Sequence, residues 1–271
     1  MPEAAKGVTG AGPRAHVAGV PIHAATLDEA VRLIAAAVEA QRPTRVFTLN
    51  LDHLVKLRGD EAFRAVYRRA DLVTADGWPV AHLARRDDRL IQRVAGADLI
   101  HPVCALAAQR GWPVALYGST DEVLRLAAER LCTMHAGLAI AHREAPPMGF
   151  DVVKAAPMAA EAASRAGARI MLVALGAPKQ EFFSDAGARA GVPLVYLCIG
   201  AGLDFIAGKV TRAPRLVQKL GMEWFFRLIQ EPRRLFVRYL RSGIVFLSLL
   251  AAKKSRAPRS EEHTSELQSL T

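Results

Sequence analysis

Polar residues that could do chemistry follow short apolar runs at several points of the sequence. Asp76 is the only acidic residue between Leu72 and His82, and it precedes a Gly-Trp-Pro turn. A carboxylate in this position could act as a general base that takes a proton from an attacking hydroxyl. It could equally cap a helix that begins at Pro79, because acidic residues often stand just before such a proline. The sequence leaves both roles open.

Two more polar residues lie at the end of the run 45–50. The hydroxyl of Thr48 and the amide of Asn50 could each bind hydroxyl groups of a ligand. The alternative is a structural role, because asparagine is a preferred N-cap and a helical pattern follows Asn50 at once. His53 stands three residues later without a partner that the sequence identifies. The histidines and cysteines lack metal-ligand spacing, so we expect no metal site.

These residues must be positioned by alternating strands and helices. Thr26 and Glu29 have the spacing of a capping box and precede a helical pattern. Val17–His23 is predicted as a strand or the edge of a hairpin. Apolar runs predicted as strands, most of them followed by a helical pattern, lie at 45–50, 71–77, 113–119, 139–142, 168–174 and 192–199. Such runs are typical of a parallel sheet covered by helices on both faces, so we predict a Rossmann-like α/β fold.

In sheets of this kind, ligands bind outside the carboxyl ends of the strands. The rule selects Thr48 and Asn50, Asp76 and Gly77, Gly118 and Ser119, Gly176–Gln180, and Gly200–Asp204. No Gly-x-Gly-x-x-Gly follows a predicted strand, and the sequence has neither a Walker motif nor an Asp-x-Asp pair. We therefore expect a ligand site at the strand ends that uses no dinucleotide, other cofactor or bridging metal.

The positive charge of the chain is concentrated near its C-terminus. The sequence has 36 Lys and Arg against 26 Asp and Glu, a formal net charge of +10. Residues 208–256 contain 12 basic and 2 acidic residues, whereas residues 1–207 carry a net charge of only +2. This distribution indicates a local anionic partner. Nucleic acid is not expected, because helix-turn-helix, RNP and zinc-finger patterns are absent.

After Pro214 the sequence mixes aromatic residues with arginines, and Pro232 divides the helical pattern in two. This mixture suits an amphipathic helix at the surface of an anionic membrane. The alternative is a pair of helices packed on the domain with a solvated outer face, because packing also requires an apolar stripe.

Four parts are expected along the chain: a flexible leader at 1–16, a Rossmann-like catalytic domain at 17–207, a basic appendage at 208–258, and a non-native segment at 259–271. That last segment resembles a translated sequencing adapter, so we expect the native C-terminus to be missing beyond about 258. The N-terminus has no apolar signal core, and the longest apolar run is about half the ~20 residues that span a bilayer. We therefore expect a cytoplasmic protein.

Six segments carry a more specific signal. In order they are TLNLDH, DLVTADGWPV, RVAGADL, LGAPKQE, GAGLDFIAGKVTRAP and LGMEWFFRLIQEPRRLFVRYL. Together they resemble the WecG/TagA/CpsF family of bacterial glycosyltransferases, glycosyltransferase family 26, over about Val17 to Leu240. Each segment alone is weakly specific, but six in order, ending in EWxxRLxxEPxR, are strongly specific.

The resemblance implies a metal-independent, inverting glycosyltransferase of the GT-E fold class. Members move a sugar from a UDP-sugar, often UDP-N-acetylmannosamine or its uronic acid, to a sugar on undecaprenyl diphosphate. The resemblance makes Asp76 the base, Arg93 the residue that engages the diphosphate, Gln180 a substrate contact and Asp204 the residue that recognises uracil. From the residues alone, Arg93 could be a surface arginine and Asp204 a turn aspartate.

For the appendage, the resemblance implies docking on the membrane, completion of the active site, and an active monomer favoured over a larger assembly. Arg227, Arg234 and Arg238 are then the candidate contacts with the lipid diphosphate and the anionic membrane surface. We also expect a homo-oligomer in solution to be possible.

The function expected from the sequence is transfer of a sugar from UDP to an undecaprenyl-diphosphate-linked saccharide, at the inner face of the cytoplasmic membrane, in the synthesis of a surface polysaccharide. The alternative is a catalytically silent nucleotide-binding module that is recruited to the membrane.

Overall fold

Six parallel strands form one sheet, and two further strands form a separate hairpin. The computed structural model describes residues 12–214, 217, 223–230 and 232–254. Its strands are β1 (Ala15–Val17), β2 (Val20–Ile22), β3 (Thr44–Leu49), β4 (Leu72–Ala75), β5 (Val114–Gly118), β6 (Ile140–Glu144), β7 (Ile170–Ala174) and β8 (Val195–Cys198). The sheet has the order β4-β3-β8-β7-β5-β6, and every neighbouring pair is parallel. The predicted α/β fold with a parallel sheet is confirmed.

Helices connect these strands and continue after the last one. They are α1 (Leu27–Glu39), α2 (Leu51–Gly59), α3 (Glu61–Arg68), α4 (Trp78–Ala84), α5 (Gly96–Arg110), α6 (Asp121–Met134), α7 (Val152–Arg165), α8 (Lys179–Arg189), α9 (Gly202–Ile206), α10 (Glu223–Gln230) and α11 (Pro232–Lys254). The predicted break is at Pro232, where α11 begins; residue 231, between α10 and α11, lies outside the described residues.

Apolar side chains cover both faces of the sheet, which explains why the strands are continuous apolar runs. Alternate residues of each strand point to opposite faces. On one face Val46, Leu116 and Leu172 pack with α1, α5, α6 and α9. On the other face Phe47 belongs to a cluster with α2, α3 and α4, and Tyr117 to one with α7 and α8. The helices on both faces leave the strand ends as the place where loops can form a site.

Local sequence signals at the N-terminal side are confirmed. Thr26 Oγ1 accepts a hydrogen bond from Glu29 N at 3.1 Å, and Glu29 Oε2 accepts one from Ala25 N at 2.7 Å. The capping box therefore forms, although the glutamate reaches the residue before the cap. β1 and β2 pair as an antiparallel hairpin, and β1 begins at Ala15, inside the segment expected to be a leader. Residues 1–11 lie outside the part of the chain that the structure describes.

Candidate active site

The loops at the carboxyl ends of β3, β4, β5, β7 and β8 carry the candidate residues. Asp76 follows β4, Asn50 follows β3, Gln180 lies in the first turn of α8 after β7, and Asp204 lies in α9 after β8. Arg93 joins them because Val94 N donates to Ala75 O at 2.8 Å, which holds the segment before α5 against the end of β4. The candidates from the body of the chain thus lie along the side of the sheet at which the strands end, called here the carboxyl edge, as the strand-end rule predicts.

Asp76 is partly buried and is held by its backbone. Its N–H donates to Leu49 O at 2.8 Å, so β3 and β4 stay paired up to the candidate base. Gly77, not Asp76, occupies the N-cap position of α4. Gly77 has φ of +87°, a conformation that other residues adopt only with strain. The glycine turn therefore begins the helix, and Asp76 lies one residue before the N-cap position.

Arg93 shares a carboxylate with a second arginine. Asp98, in the first turn of α5, receives Arg93 Nη2 at 2.9 Å on Oδ2 and Arg212 Nη2 at 2.5 Å on Oδ1. A Cβ at Gly96 would lie 2.6 Å from Cys198 O, so only glycine lets the start of α5 lie against the end of β8. Asp98 thus holds two guanidinium groups at the N-terminus of α5, the end of a helix that favours anions. Arg93 is therefore not an isolated surface arginine.

Asn50 takes the capping role that the sequence left open. Its Oδ1 accepts from His53 N at 3.1 Å, so the predicted N-cap of α2 is confirmed. The cap uses the amide oxygen of Asn50. A ligand contact through its NH₂ group, as a hydrogen-bond donor, is compatible with this cap. Thr48 is 4 % exposed, and its carbonyl accepts from Tyr67 Oη at 2.8 Å. These hydrogen bonds from α2 and α3 hold Thr48 and Asn50 at the end of β3.

Asp204 is held by a residue from another strand end. Ser119 Oγ donates to Asp204 Oδ1 at 3.1 Å, which joins the loop after β5 to α9. Ser119 has φ of +51°, and it follows Gly118, whose added Cβ would lie 2.4 Å from Ala174 O. A non-glycine residue with positive φ stores strain, and such residues concentrate at functional sites. The strained turn aims the serine hydroxyl at Asp204 and leaves the second carboxylate oxygen for another donor.

Gln180 and Glu181 are buried side by side at the start of α8. Gln180 is 3 % exposed; its Oε1 accepts from Gly200 N at 2.9 Å and its Nε2 donates to Glu181 Oε1 at 2.8 Å. Glu181 is fully buried, and its Oε1 lies 3.9 Å from His53 Nε2. Burial, together with the nearby Glu181, Cys198 and Asp76, raises the pKa of Tyr67 well above its usual range. Tyr67 therefore stays protonated and serves as a hydrogen-bond donor.

Tyr67 and Glu181 are buried next to the candidate residues and were not selected from the sequence, and His53 was noted there only without a partner. Each lies in a helix with ordinary helical spacing, and only the packing of α2, α3 and α8 brings them together. One signal was available: Gln180 and Glu181 are two consecutive polar residues immediately after a buried strand and its loop. Long polar side chains in that position must find partners or solvent.

The C-terminal helix α11 is partly packed and partly exposed. Arg58 Nη2 donates to Ser248 Oγ at 2.7 Å, Val245 is buried, and the Trp78 and Phe246 ring centroids lie 6.0 Å apart. The predicted alternative of a helix packed on the domain is thus observed for this face. Large apolar side chains are exposed on the appendage at Phe225, Ile229, Phe236, Leu240, Ile244 and Leu247. The side chains of Arg227, Arg234 and Arg238 lie outside what the structure describes.

Within the described ranges, no three His, Cys, Asp or Glu side chains are grouped as a metal site would require. No helix in the same ranges has both the length and the apolar composition needed to cross a membrane.

The comparison with protein families agrees with this geometry. A family model described as "Glycosyl transferase WecG/TagA/CpsF family" matches residues 15–260, a range that includes every candidate residue. The family indicates a glycosyltransferase of cell-surface polysaccharide synthesis, with a sugar-nucleotide donor and a lipid-linked acceptor. On this match, and with a six-stranded parallel sheet whose loops gather the expected residues, the chain belongs to the WecG/TagA/CpsF family of glycosyltransferases.

Proposed function

We propose that the protein transfers a sugar, N-acetylmannosamine or a related hexose or uronic acid, from UDP to an undecaprenyl-diphosphate-linked saccharide, with inversion and without a metal. The observation that carries this proposal is the pairing of Val94 N with Ala75 O at 2.8 Å. This hydrogen bond holds the segment with Arg93 next to the end of β4, which Asp76 follows. A base and a cation at one strand end are what transfer from a diphosphate leaving group requires.

In this reaction the Asp76 carboxylate accepts the proton of the acceptor hydroxyl. The acceptor oxygen then forms a bond to the anomeric carbon from the face opposite the diphosphate, and the bond between that carbon and the diphosphate oxygen breaks. UDP leaves with the electron pair, and Arg93 offsets its charge through guanidinium hydrogen bonds. Attack from the opposite face inverts the configuration at the anomeric carbon.

The other candidate residues hold the two substrates. Asp204, with one oxygen bound by Ser119 at 3.1 Å, can accept the N–H of a uracil ring through its other oxygen. Thr48 and Asn50 lie next to Asp76 along the edge and are proposed to bind sugar or acceptor hydroxyl groups. Gln180 holds the loop at Gly200 and is proposed to act from there on the donor.

A donor screen tests the function. Purified full-length protein is incubated with single UDP-sugars and a synthetic short-chain lipid diphosphate that carries one sugar, and the product is followed by mass spectrometry. We expect one UDP-sugar to be used, with the opposite anomeric configuration in the product and with activity unchanged by EDTA. Loss of activity with EDTA would contradict metal independence. Binding of UDP without transfer to any acceptor would instead support the silent nucleotide-binding module.

We further propose that the appendage attaches the protein to the inner face of the cytoplasmic membrane. The exposed apolar side chains of α11 recur at 236, 240, 244 and 247, which is one face of a helix. Basic residues flank this stripe in the sequence, including Arg227, Arg234 and Arg238, and each arginine near an anionic surface contributes about 1 kcal/mol.

Liposome sedimentation tests the attachment with the full chain. Leu240→Gln combined with Ile244→Gln removes two exposed apolar side chains, and we expect the protein to stop sedimenting with anionic vesicles. Replacing Leu90, which is equally exposed on the body, with Gln is the matched control and should leave sedimentation unchanged. Equal sedimentation of both variants would contradict attachment through α11.

A further inference from the structure

A chain of buried polar groups runs beneath the carboxyl edge of the sheet. Tyr67 Oη lies 2.8 Å from His53 Nδ1, and His53 Nε2 lies 3.9 Å from Glu181 Oε1. The same Glu181 oxygen accepts from Gln180 Nε2 at 2.8 Å, and Gln180 Oε1 accepts from Gly200 N at 2.9 Å. The five residues belong to α3, α2, α8 and the loop after β8. The chain therefore connects the half of the edge that carries Asn50 with the half that carries Asp204.

The hydrogen bonds determine where the protons lie in this chain. His53 Nδ1 is 2.7 Å from Thr48 O, and because a carbonyl oxygen has no hydrogen, Nδ1 must carry the proton. Nε2 then faces Glu181. At 3.9 Å, the contact between His53 Nε2 and Glu181 Oε1 is longer than a hydrogen bond.

Glu181 is nevertheless a costly residue at this place. It is 0 % exposed, and its Oε2 has no hydrogen-bond partner among the residues that the structure describes. An apolar side chain of similar volume is often neutral or stabilising where a buried charged pair stands. The contribution of Glu181 to the protein must therefore come from the geometry that it imposes. Its contact at hydrogen-bond distance is with Gln180 Nε2.

We infer that Glu181 is a positioning residue for donor binding. By accepting from Nε2, it fixes the amide orientation in which Gln180 Oε1 faces Gly200 N, and so holds the segment Gly200–Asp204 at a set distance from the Asp76 side of the edge. The catalytic consequence rests on the proposed function, in which Asp204 binds the uracil of the donor. The structural consequence, an ordered loop at Gly200, does not.

Amide hydrogen exchange at Gly200 tests the structural part on the full-length protein without substrate. Glu181→Met keeps the volume of the side chain and removes the acceptor. We expect exchange at Gly200 to become roughly five- to tenfold faster, the effect of losing about one hydrogen bond from local opening. Glu181→Gln retains an acceptor oxygen and should restore most of the protection.

A control separates this effect from general destabilisation. Val38→Ala removes two methyl groups from the buried side of α1, close to the start of β3 and so at the opposite edge of the sheet. It should lower the melting temperature without selective exchange at Gly200. If Glu181→Met does not fold, Gln180→Met breaks the same link from its other side and should give the same selective exchange.

Steady-state kinetics test the catalytic part. Glu181→Met should raise the KM for the UDP-sugar by roughly five- to tenfold and lower kcat less, because the loop binds donor and does not touch the reacting atoms. A purely structural role would lower the active fraction, and hence kcat, at unchanged KM. Unchanged Gly200 exchange, or an effect equal to that of Val38→Ala, overturns the inference. Selective exchange at Gly200 in a protein that uses no UDP-sugar would support the structural part of the inference and overturn the proposed function together with the catalytic part.

Discussion

Two buried carboxylates stand one turn apart on α8, and their surroundings differ. Asp185 Oδ1 accepts from Arg45 Nε at 3.0 Å and Arg69 Nε at 2.9 Å, and its Oδ2 accepts from Arg69 Nη2 at 2.7 Å. Glu181 is buried more completely, yet one of its oxygens has no hydrogen-bond partner within the described ranges. One helix thus carries a saturated carboxylate and an undersatisfied one.

The two carboxylates have different surroundings because they lie at opposite ends of the strands. Asp185 joins α8 to Arg45, at the start of β3, which also pairs with Asp71 at 3.1 Å, so the network fixes three elements at the amino edge of the sheet. Hydrogen bonding to Asp185 holds the pKa of Arg69 above its usual value. Glu181 lies at the carboxyl edge among the residues proposed to bind substrate. On α8, the saturated carboxylate therefore belongs to the framework, and the undersatisfied one lies among the candidate site residues.

The largest expected effect tests the site side of this comparison. Asp76→Asn keeps the shape of the side chain and removes the base, so we expect kcat to fall by about 10²–10⁴, the range for loss of general base catalysis. The free energy of unfolding should change by less than about 1 kcal/mol, because Asn keeps the size of the side chain and the backbone hydrogen bond from residue 76 to Leu49 O. Transfer assays and urea denaturation measure the two quantities. A variant with the wild-type transfer rate would show that Asp76 is not the base.

The framework side predicts the opposite pattern. Asp185→Asn leaves Arg45 and Arg69 facing a neutral group, and the free energy of unfolding should fall by about 2–4 kcal/mol, somewhat below the cost for a fully buried pair because Arg69 is partly exposed. The KM of the folded fraction should not change. Glu39→Gln, which breaks an exposed pair with Arg110, is the control and should cost less than about 1 kcal/mol. Similar losses in both variants would contradict the framework role.

Substitution of Arg93 should have a smaller effect on activity. It distinguishes the proposed contact with the diphosphate from the ion pair with Asp98. Arg93→Gln removes the proposed diphosphate contact, so kcat/KM should fall by roughly ten- to a hundredfold, the value of a hydrogen bond to a charged group. Asp98 retains Arg212 at 2.5 Å, so stability should change little. Arg89→Gln, at an exposed position nearby, serves as the control for charge alone. A loss of stability without a loss of kcat/KM would assign Arg93 to the framework.

Ser119 should show the smallest effect. Ser119→Ala removes the hydrogen bond to Asp204, and we expect the KM for the UDP-sugar to rise by roughly three- to tenfold with kcat nearly unchanged. Ser119→Gly removes the same hydroxyl and also relieves the positive φ of +51°, so it should give a similar KM in a more stable protein. Unchanged KM in both variants would mean that Asp204 does not need this donor.

Much of the fold was readable in the sequence because it depends on local pattern. The capping box at Thr26 and the N-cap at Asn50 are short-range signals, and each was found where predicted. The continuous apolar strands predicted a parallel sheet, because only a sheet buried on both faces has no polar side. The strand-end rule then grouped most of the candidate residues at the carboxyl ends of the strands without any knowledge of strand order.

Pairing between distant residues was decided by tertiary structure alone. Ser119 and Asp204 are 85 positions apart, and Arg45 and Asp185 are 140 apart. Neither spacing has a sequence signature, because such contacts depend on the order β4-β3-β8-β7-β5-β6 and on the face to which each helix packs. Tertiary structure also showed that Gly77, and not Asp76, is the N-cap residue of α4.

The sequence by itself determined the alternation of strands and helices, the family, and which residues stand at the strand ends, because these follow from patterns of a few residues and from motifs in order. Only the tertiary structure decided which of those residues share partners, that Glu181 and His53 are buried together, and which side of α11 remains exposed. Burial is a property of packed elements, and a residue such as glutamate at position 181 has the same local sequence context whether it faces water or the core.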